Sequence, residues 1–270
     1  MLSKWAIAEM STDKNRAPAF TLLKAPPAQR DVKRKKLMNL NGKRALVTGG
    51  AVRIGRAIAE ALLAEGAEVV VHFQCSEEKA KALSSKTIQA DLSDPSQCET
   101  LMQRASDQFG QIDILINNAA VFHKTKLADA THDVTLKELQ INLLAPLALI
   151  RGFARQTQSG KIINLLDQRI TRHDTSCVPY MLGKKGLEEL TKLAALDLAP
   201  DITVNAVAPG AVLPPPHTTD NPAGEPAGTI PLEKRPALAD IADAVLYLLK
   251  SNVITGQTIF VDGGQGLIET

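Results

Sequence analysis

The stretch Arg44–Leu62 reads RALVTGGAVRIGRAIAEAL. Its opening, Arg44–Thr48, is a short apolar run that stops at glycines, the pattern of a buried strand. From Ile54 to Glu65 apolar residues return at helical spacing: Ile54, Ala57, Ile58, Ala61 and Leu62. The turn between them is glycine-rich. In that position it aims backbone N–H groups and the positive end of a helix at phosphate, although a bare structural turn has the same outline. Gly49 and Gly55 hold its outer positions, and Arg53 stands where a middle glycine is expected. A long cation in place of bare backbone calls for a negative partner.

Strand and helix patterns alternate from there to the C-terminus. Glu68–His72 is β-branched and reads as a second strand, followed by a polar helix near Ser76–Leu83 and a third strand in KTIQA. Asp94–Phe109 is helical, Ile112–Asn117 a fourth strand, Leu136–Arg155 one long helix and Lys161–Leu166 a fifth strand. Val178–Leu198 is helical, Ile202–Val207 a sixth strand, Ala239–Leu249 helical and Thr258–Val261 a seventh strand. The strands are nearly all apolar, as they must be when helices cover both faces of a sheet. The expected fold is α/β: a single-domain, Rossmann-like, doubly wound, seven-stranded parallel sheet with helices on both faces, over residues 38–270. Ligands of such a sheet bind beyond the carboxyl ends of its strands. Val212–Pro231, rich in Pro and Gly, is long for a structureless connection and reads as a lid loop or a plain surface loop.

Bulk properties exclude other classes. Net charge is +2, so the chain as a whole is no evident nucleic-acid binder. No apolar run approaches the roughly 20 residues of a membrane helix. Cys75, Cys98 and Cys177 are odd in number and widely spaced, which argues against a zinc site and for a reduced, cytoplasmic protein. Residues 1–37 carry nine Lys/Arg against three Asp/Glu and lack periodicity. They read as a disordered basic leader, with Met38 an alternative start and an acid-binding tail the sharper alternative.

The second strand informs the cofactor. A site for NAD usually carries an acid about 20 residues beyond its glycine turn, to hold the ribose hydroxyls. Here the strand runs into HFQCS, with no acid before Glu77. Arg53, Gln74 and Ser76 would welcome a 2′-phosphate, so the expected cofactor is NADPH/NADP. Ordinary loop polarity and a helix cap are the plainer readings of His72, Gln74 and Ser76. Asp91, after the third strand, is expected to flank the adenine or to cap the helix that follows. Ile54, Leu92, Asn118, Ala119, Pro209 and Gly210 complete the expected cofactor side.

Tyr180 and Lys184 stand four apart on one helix and so share a face. A free phenol has a pKa of about 10, and a nearby cation is expected to bring it toward working pH. Asp167 lies just past the fifth strand, thirteen residues before Tyr180.

With these residues the chain resembles the short-chain dehydrogenase/reductase family from about Leu40 to Leu267. The resemblance rests on TGGAVRIG, ADLSD, NNAA (Asn117–Ala120), Asn142, YMLGK, Ala208–Gly210 and Val261–Gly264. It implies that Tyr180 is the acid, that Lys184 binds the nicotinamide ribose, and that Asn142 orders a water chain to the lysine. It also implies pro-S hydride transfer and a homotetramer built on the helices of Asn142 and Tyr180. Most members have a serine where this chain has Asp167 and a glycine where it has Arg53. Both departures resemble pteridine reductases and dihydromonapterin/dihydrofolate reductases, which implies a substrate site of Arg53, Phe122, Asp167 and Tyr180, with the pterin stacked on Phe122. Those enzymes usually carry a basic residue where this chain has Gln74-Cys75.

The reading is therefore an NADPH-dependent reductase of a small pterin-like substrate. A general carbonyl or 3-oxoacyl reductase is the alternative, and a non-catalytic NADP-binding regulator stays open. No metal is expected. Gln168 has no assigned role, and Arg169 reads as a surface charge or an intersubunit contact. His123 is taken for surface polarity near Phe122.

Overall fold

The computed structural model describes residues 38–212 and 230–268. The leader expected at 1–37 lies outside them, as does the expected lid apart from Val212, Ile230 and Pro231.

Seven parallel strands form one sheet in the order β3-β2-β1-β4-β5-β6-β7. They are β1 (Arg44–Val47), β2 (Glu68–Phe73), β3 (Thr87–Gln89), β4 (Ile114–Asn117), β5 (Gly160–Leu165), β6 (Ile202–Pro209) and β7 (Thr258–Val261). The helices are α1 (Arg53–Ala64), α2 (Glu77–Leu83), α3 (Pro95–Phe109), α4 (His132–Leu139), α5 (Ala145–Gln156), α6 (Val178–Asp197) and α7 (Leu238–Lys250). The expected fold is thus the observed one.

Alternation along each strand builds two cores. Ala45, Val47, Val69, Val71, Ile114, Ile116 and Ile163 point to one face, where Ile58 and Leu62 of α1 and Val245 and Leu249 of α7 cover them. Leu46, Val70, Leu115 and Ile162 point to the other, against Leu101 of α3 and Leu149 and Phe153 of α5. Burying a Leu or Ile side chain contributes about 1.5–3 kcal/mol, so these two layers dominate the stability of the sheet.

Two features place the site. Successive connections run outward from β1 toward β3, then restart at β4 on the other side of β1. The loops after β1 and β4 therefore diverge and leave a crevice between them. The long helix expected at Leu136–Arg155 is instead two helices joined by a π-turn, Gln140–Leu144, in which the Ala145 N–H reaches back to the Gln140 carbonyl. Pro146 lacks the N–H that an unbroken α-helix would offer to Asn142, so the ladder cannot continue regularly at that point. Asn142 sits inside the widened turn and is fully buried.

Candidate active site

A cleft of about 410 Å³ opens at the crevice, lined on one side by Gly49, Arg53, Ile54 and Gly55. Gln74, Ser76, Leu92, Asn118 and Ala119 line it too, whereas Asp91, Tyr180, Lys184, Pro209 and Gly210, expected on the same cofactor side, are not among its lining residues. Backbone comes unusually close here. Gly49 has φ +60°, and a side chain on Gly55 would run into the Gly49 carbonyl and the Asn118 amide. Asn118 fastens the turn to β4, donating Nδ2 to the Thr48 carbonyl at 2.8 Å and its backbone N–H to Thr48 Oγ1 at 2.9 Å. The helix start and bare backbone fit the phosphates of a dinucleotide. Arg53 itself adopts φ +54°, the left-handed region that glycine ordinarily supplies.

His72 is not loop polarity. It is buried in β2, accepts from the Gly49 N–H at its Nδ1 (3.1 Å), and its Nε2 lies 3.1 Å from the Ala90 carbonyl. The second contact requires the proton on Nε2. Burial lowers the imidazole to about 4, so the ring is a neutral strut that holds the phosphate turn to two strands. Asp91 turns its carboxylate onto the N–H and hydroxyl of Ser93. Asp94, not Asp91, caps α3 by accepting from the Ser96 N–H at 2.8 Å. Ser76 stands at the start of α2 without a side-chain cap bond. Pro209 ends β6, and Gly210 lies so close to Asp262 that a Cβ there would be 2.8 Å from the Asp262 Cα.

Outside that lining, Tyr180 donates its hydroxyl proton to Asp167 Oδ2 at 2.9 Å. Asp167 begins the 3₁₀ turn Gln168–Thr171, where its carboxylate is gripped by Arg169: backbone N–H to Oδ1 at 2.9 Å, Nε to Oδ1 at 3.1 Å and Nη2 to Oδ2 at 2.8 Å. Burial pushes this carboxyl up, but the Arg169 hydrogen bonds and charge outweigh it and hold the group below the usual carboxylate range. Tyr180 is pushed well above its ordinary value, first by burial and then by the negative charge of Asp167. The lowered phenol expected from Lys184 is therefore not found, and the phenol stays protonated. Lys184 is fully enclosed, donates Nζ to the Leu165 carbonyl at 2.7 Å and lies 5.9 Å from the Tyr180 ring centroid. Burial brings it down to about 8, partly offset by Asp167 and Glu138.

Phe122 meets Tyr180 edge to face, with centroids 4.9 Å apart. The Arg169 guanidinium lies over both rings, its Cζ 4.8 Å from the Phe122 centroid and 5.3 Å from that of Tyr180. Arg169 is thus no surface charge. Asn142 donates Nδ2 to the Val121 carbonyl (3.0 Å) and to Glu138 Oε2 (2.6 Å). Its Oδ1, also buried, has no hydrogen-bond partner among the described residues. Glu138, with no exposed side-chain surface, also accepts from His123 N (2.8 Å), and its Oε1 lies 2.7 Å from His123 Nδ1.

Arg169 and Glu138 are the side chains that sequence reasoning missed. The usable signal for Arg169 was an aspartate two residues before an arginine in a turn, a spacing at which a local hydrogen bond forms readily.

Sheet order, phosphate turn and the Tyr–Lys helix define a nucleotide-dependent oxidoreductase, and the chain belongs to the short-chain dehydrogenase/reductase family. The family model that matches, over residues 50–265, is described as enoyl-(acyl carrier protein) reductase. The chain is 33% identical to pteridine reductase 1 of Leishmania tarentolae, over 83% of this chain and 96% of that one. It is 35% identical to the 3-oxoacyl-[acyl-carrier-protein] reductase FabG of Staphylococcus aureus, over 82% and 97%. Among solved structures it resembles FolM alternative dihydrofolate reductase 1 of Brucella canis complexed with NADP, with a TM-score of 0.78 and 31% identity over 86% of this chain and 97% of that one.

Among the described residues no helix is long and apolar enough to cross a membrane.

Proposed function

We propose that this enzyme is an NADPH-dependent reductase of a C=N bond in a pterin-like substrate: a dihydropteridine, dihydromonapterin or dihydrofolate. The observation that carries the reading is the Asp167 carboxyl 2.9 Å from the hydroxyl of Tyr180, whose ring meets Phe122 edge to face. A ketone needs one donor at its oxygen. A pterin needs a proton on a ring nitrogen and acceptors for its amidine N–H groups, and a carboxylate supplies those acceptors.

Bound in the cleft, NADPH supplies the hydride. Gln74 and Ser76, which line the cleft where an NAD site carries an acid, and Arg53, which lines it from the turn after β1, support the choice of the phosphorylated dinucleotide. Phe122 offers a flat apolar surface to the ring. Asp167 accepts from the ring's N–H groups and fixes its orientation. Tyr180 holds a proton that its high pKa keeps in place until a basic nitrogen develops beside it. The Lys184 cation, enclosed on the same helix, offsets the negative charge left on the phenol.

A second reading, reduction of a 3-oxoacyl thioester, is favoured by the 35% identity to FabG. Steady-state assays with NADPH separate them. Turnover of dihydrobiopterin, dihydromonapterin or dihydrofolate without brisk ketone reduction supports the first; the reverse result overturns it.

The assembly is a homotetramer in this reading. Leu147 of α5 and Leu193 of α6, 41% and 63% exposed, flank an apolar groove of about 620 Å³ that a second copy would cover. A gel-filtration mass tests it. Three free thiols, Cys75 exposed among them, support a reducing, cytoplasmic setting.

A further inference from the structure

We infer that the Arg169 guanidinium stands in the seat of the substrate's N–H edge, so that every ligand of the seat must displace it: the site admits flat ligands whose paired N–H donors can replace the fork. The ligand's identity as a pterin rests on the reading above; the existence of the seat does not.

The seat is built from three groups. Asp167 accepts four hydrogen bonds, two on each oxygen. One comes from the Arg169 backbone and one from Tyr180, and both remain whatever the Arg169 side chain does. The other two, Nε to Oδ1 and Nη2 to Oδ2, come from the side chain and form a planar fork. The plate of that fork lies over Phe122 and beside Tyr180. A flat cation with two parallel N–H donors, held by a carboxylate and an aromatic ring, presents the outline of a 2-amino-pyrimidinone edge. The same three groups cannot hold Arg169 and such an edge together.

A destination for the arm is also in place. Arg169 Nη1 lies 3.5 Å from Asp174 Oδ2, whose other oxygen is taken by the N–H and hydroxyl of Ser176. When the fork leaves Asp167, Asp174 keeps a carboxylate within reach of the guanidinium.

Exchange of one fork for another explains selection. Withdrawing Arg169 strips a largely buried carboxylate of two donors, a severe penalty unless the ligand restores both. A pterin restores them and a ketone restores none. A site closed by its own side chain thus rejects simple carbonyl compounds even though Tyr180 and Lys184 are in place.

The test uses the full chain saturated with NADP⁺ and three probes: pterin, followed by its own fluorescence; lumazine, which lacks the 2-amino group; and methylguanidinium. Arg169→Ala is expected to bind pterin about tenfold more tightly than wild type, because the ligand no longer displaces a competitor. Lumazine, which must displace the same fork, should gain by about the same factor while remaining the weaker ligand. Millimolar methylguanidinium should compete with pterin in the variant and not in wild type. Arg169→Lys, which keeps the charge without the fork, should shift pterin binding in the same direction and serves where the alanine variant does not fold. Unchanged or weaker pterin binding in a folded variant overturns the inference, and assigns Arg169 to holding the ligand or Asp167. If neither protein binds either pteridine, the pterin reading fails by itself. The seat then stands if methylguanidinium raises the melting temperature of Arg169→Ala alone, and falls if it raises neither or both.

Discussion

The Tyr180 hydroxyl donates to Asp167 Oδ2, while Lys184 spends a hydrogen bond on the Leu165 carbonyl. The proposed proton donor is therefore paired in advance with a carboxylate and not with the ammonium four residues along its own helix. Tyr180→Phe keeps the ring against Phe122 and removes only the proton. It is expected to lower kcat by about 10²- to 10⁴-fold and to alter NADPH affinity far less. Single-turnover rates and a cofactor titration on the same preparation check this; a rate within tenfold of wild type would assign the proton to another group.

Gly55 has no room for a methyl group. Its Cβ would meet the Gly49 carbonyl and the Asn118 amide, both fixed by the bonds that join the turn to β4. Gly55→Ala is expected to cost about 1–3 kcal/mol or more, because neither neighbour is the free end of a flexible side chain. It should also open the phosphate turn. Denaturant melts and NADPH fluorescence should deteriorate together, and a stable variant that binds normally would show that the turn yields more easily than its packing implies.

His72 makes the protein acid-sensitive in a defined window. Its folded pKa of about 4 lies below the ordinary imidazole value of 6.5 because the ring is buried. Between those values the unfolded chain binds the extra proton, so stability is fully present above pH 6.5 and falls as pH drops toward 4. From a depression of that size the loss is on the order of 2 kcal/mol at pH 5. Urea unfolding at pH 7 and pH 5 measures it. In His72→Asn the difference between the two pH values should shrink by most of that amount; an equal difference in both proteins would place the sensitivity elsewhere.

Glu138 positions Asn142 and the backbone after Phe122 with one buried carboxylate. Burial raises its pKa against the pull of His123 and Asn142. Glu138→Gln keeps an oxygen for His123 but turns an NH₂ toward the Asn142 Nδ2, donor against donor. The expected cost is about 1–3 kcal/mol, with kcat reduced on the order of ten- to a hundredfold through misplacement of Asn142. Unfolding and kcat are measured on the one variant; a stability loss without a rate change would confine Glu138 to folding.

The sheet was legible because strands covered on both faces must be apolar throughout, and Val69–Val71 or Ile114–Ile116 have no competing helical pattern. The π-turn was not, since the apolar spacing around Ile141–Leu149 suits a continuous helix and only Pro146 hints at a break. His72 could have been placed by one further step: a polar residue within an all-buried strand has to find partners. Tyr180, Lys184 and Asp167 were legible from spacing and likeness. What Asp167 binds was not, because the reach of Arg169 depends on a turn conformation that no periodicity encodes.

Arg53 separates stability from cofactor choice. With φ +54° it occupies a conformation that costs a residue with a Cβ about 1–2 kcal/mol, and glycine would occupy it freely. Arg53→Gly releases that strain but also removes the contacts of the guanidinium and adds unfolded-state entropy, so the melting temperature is expected to change little. At the same time the KM for NADPH should rise on the order of tenfold or more, with the KM for NADH changed much less, because only the first cofactor carries the extra phosphate. Steady-state kinetics with the two cofactors and a thermal melt decide the matter on a single protein. Equal losses for NADPH and NADH would mean that Arg53 serves the shared pyrophosphate, and a fall in melting temperature would mean that its side chain is structural after all.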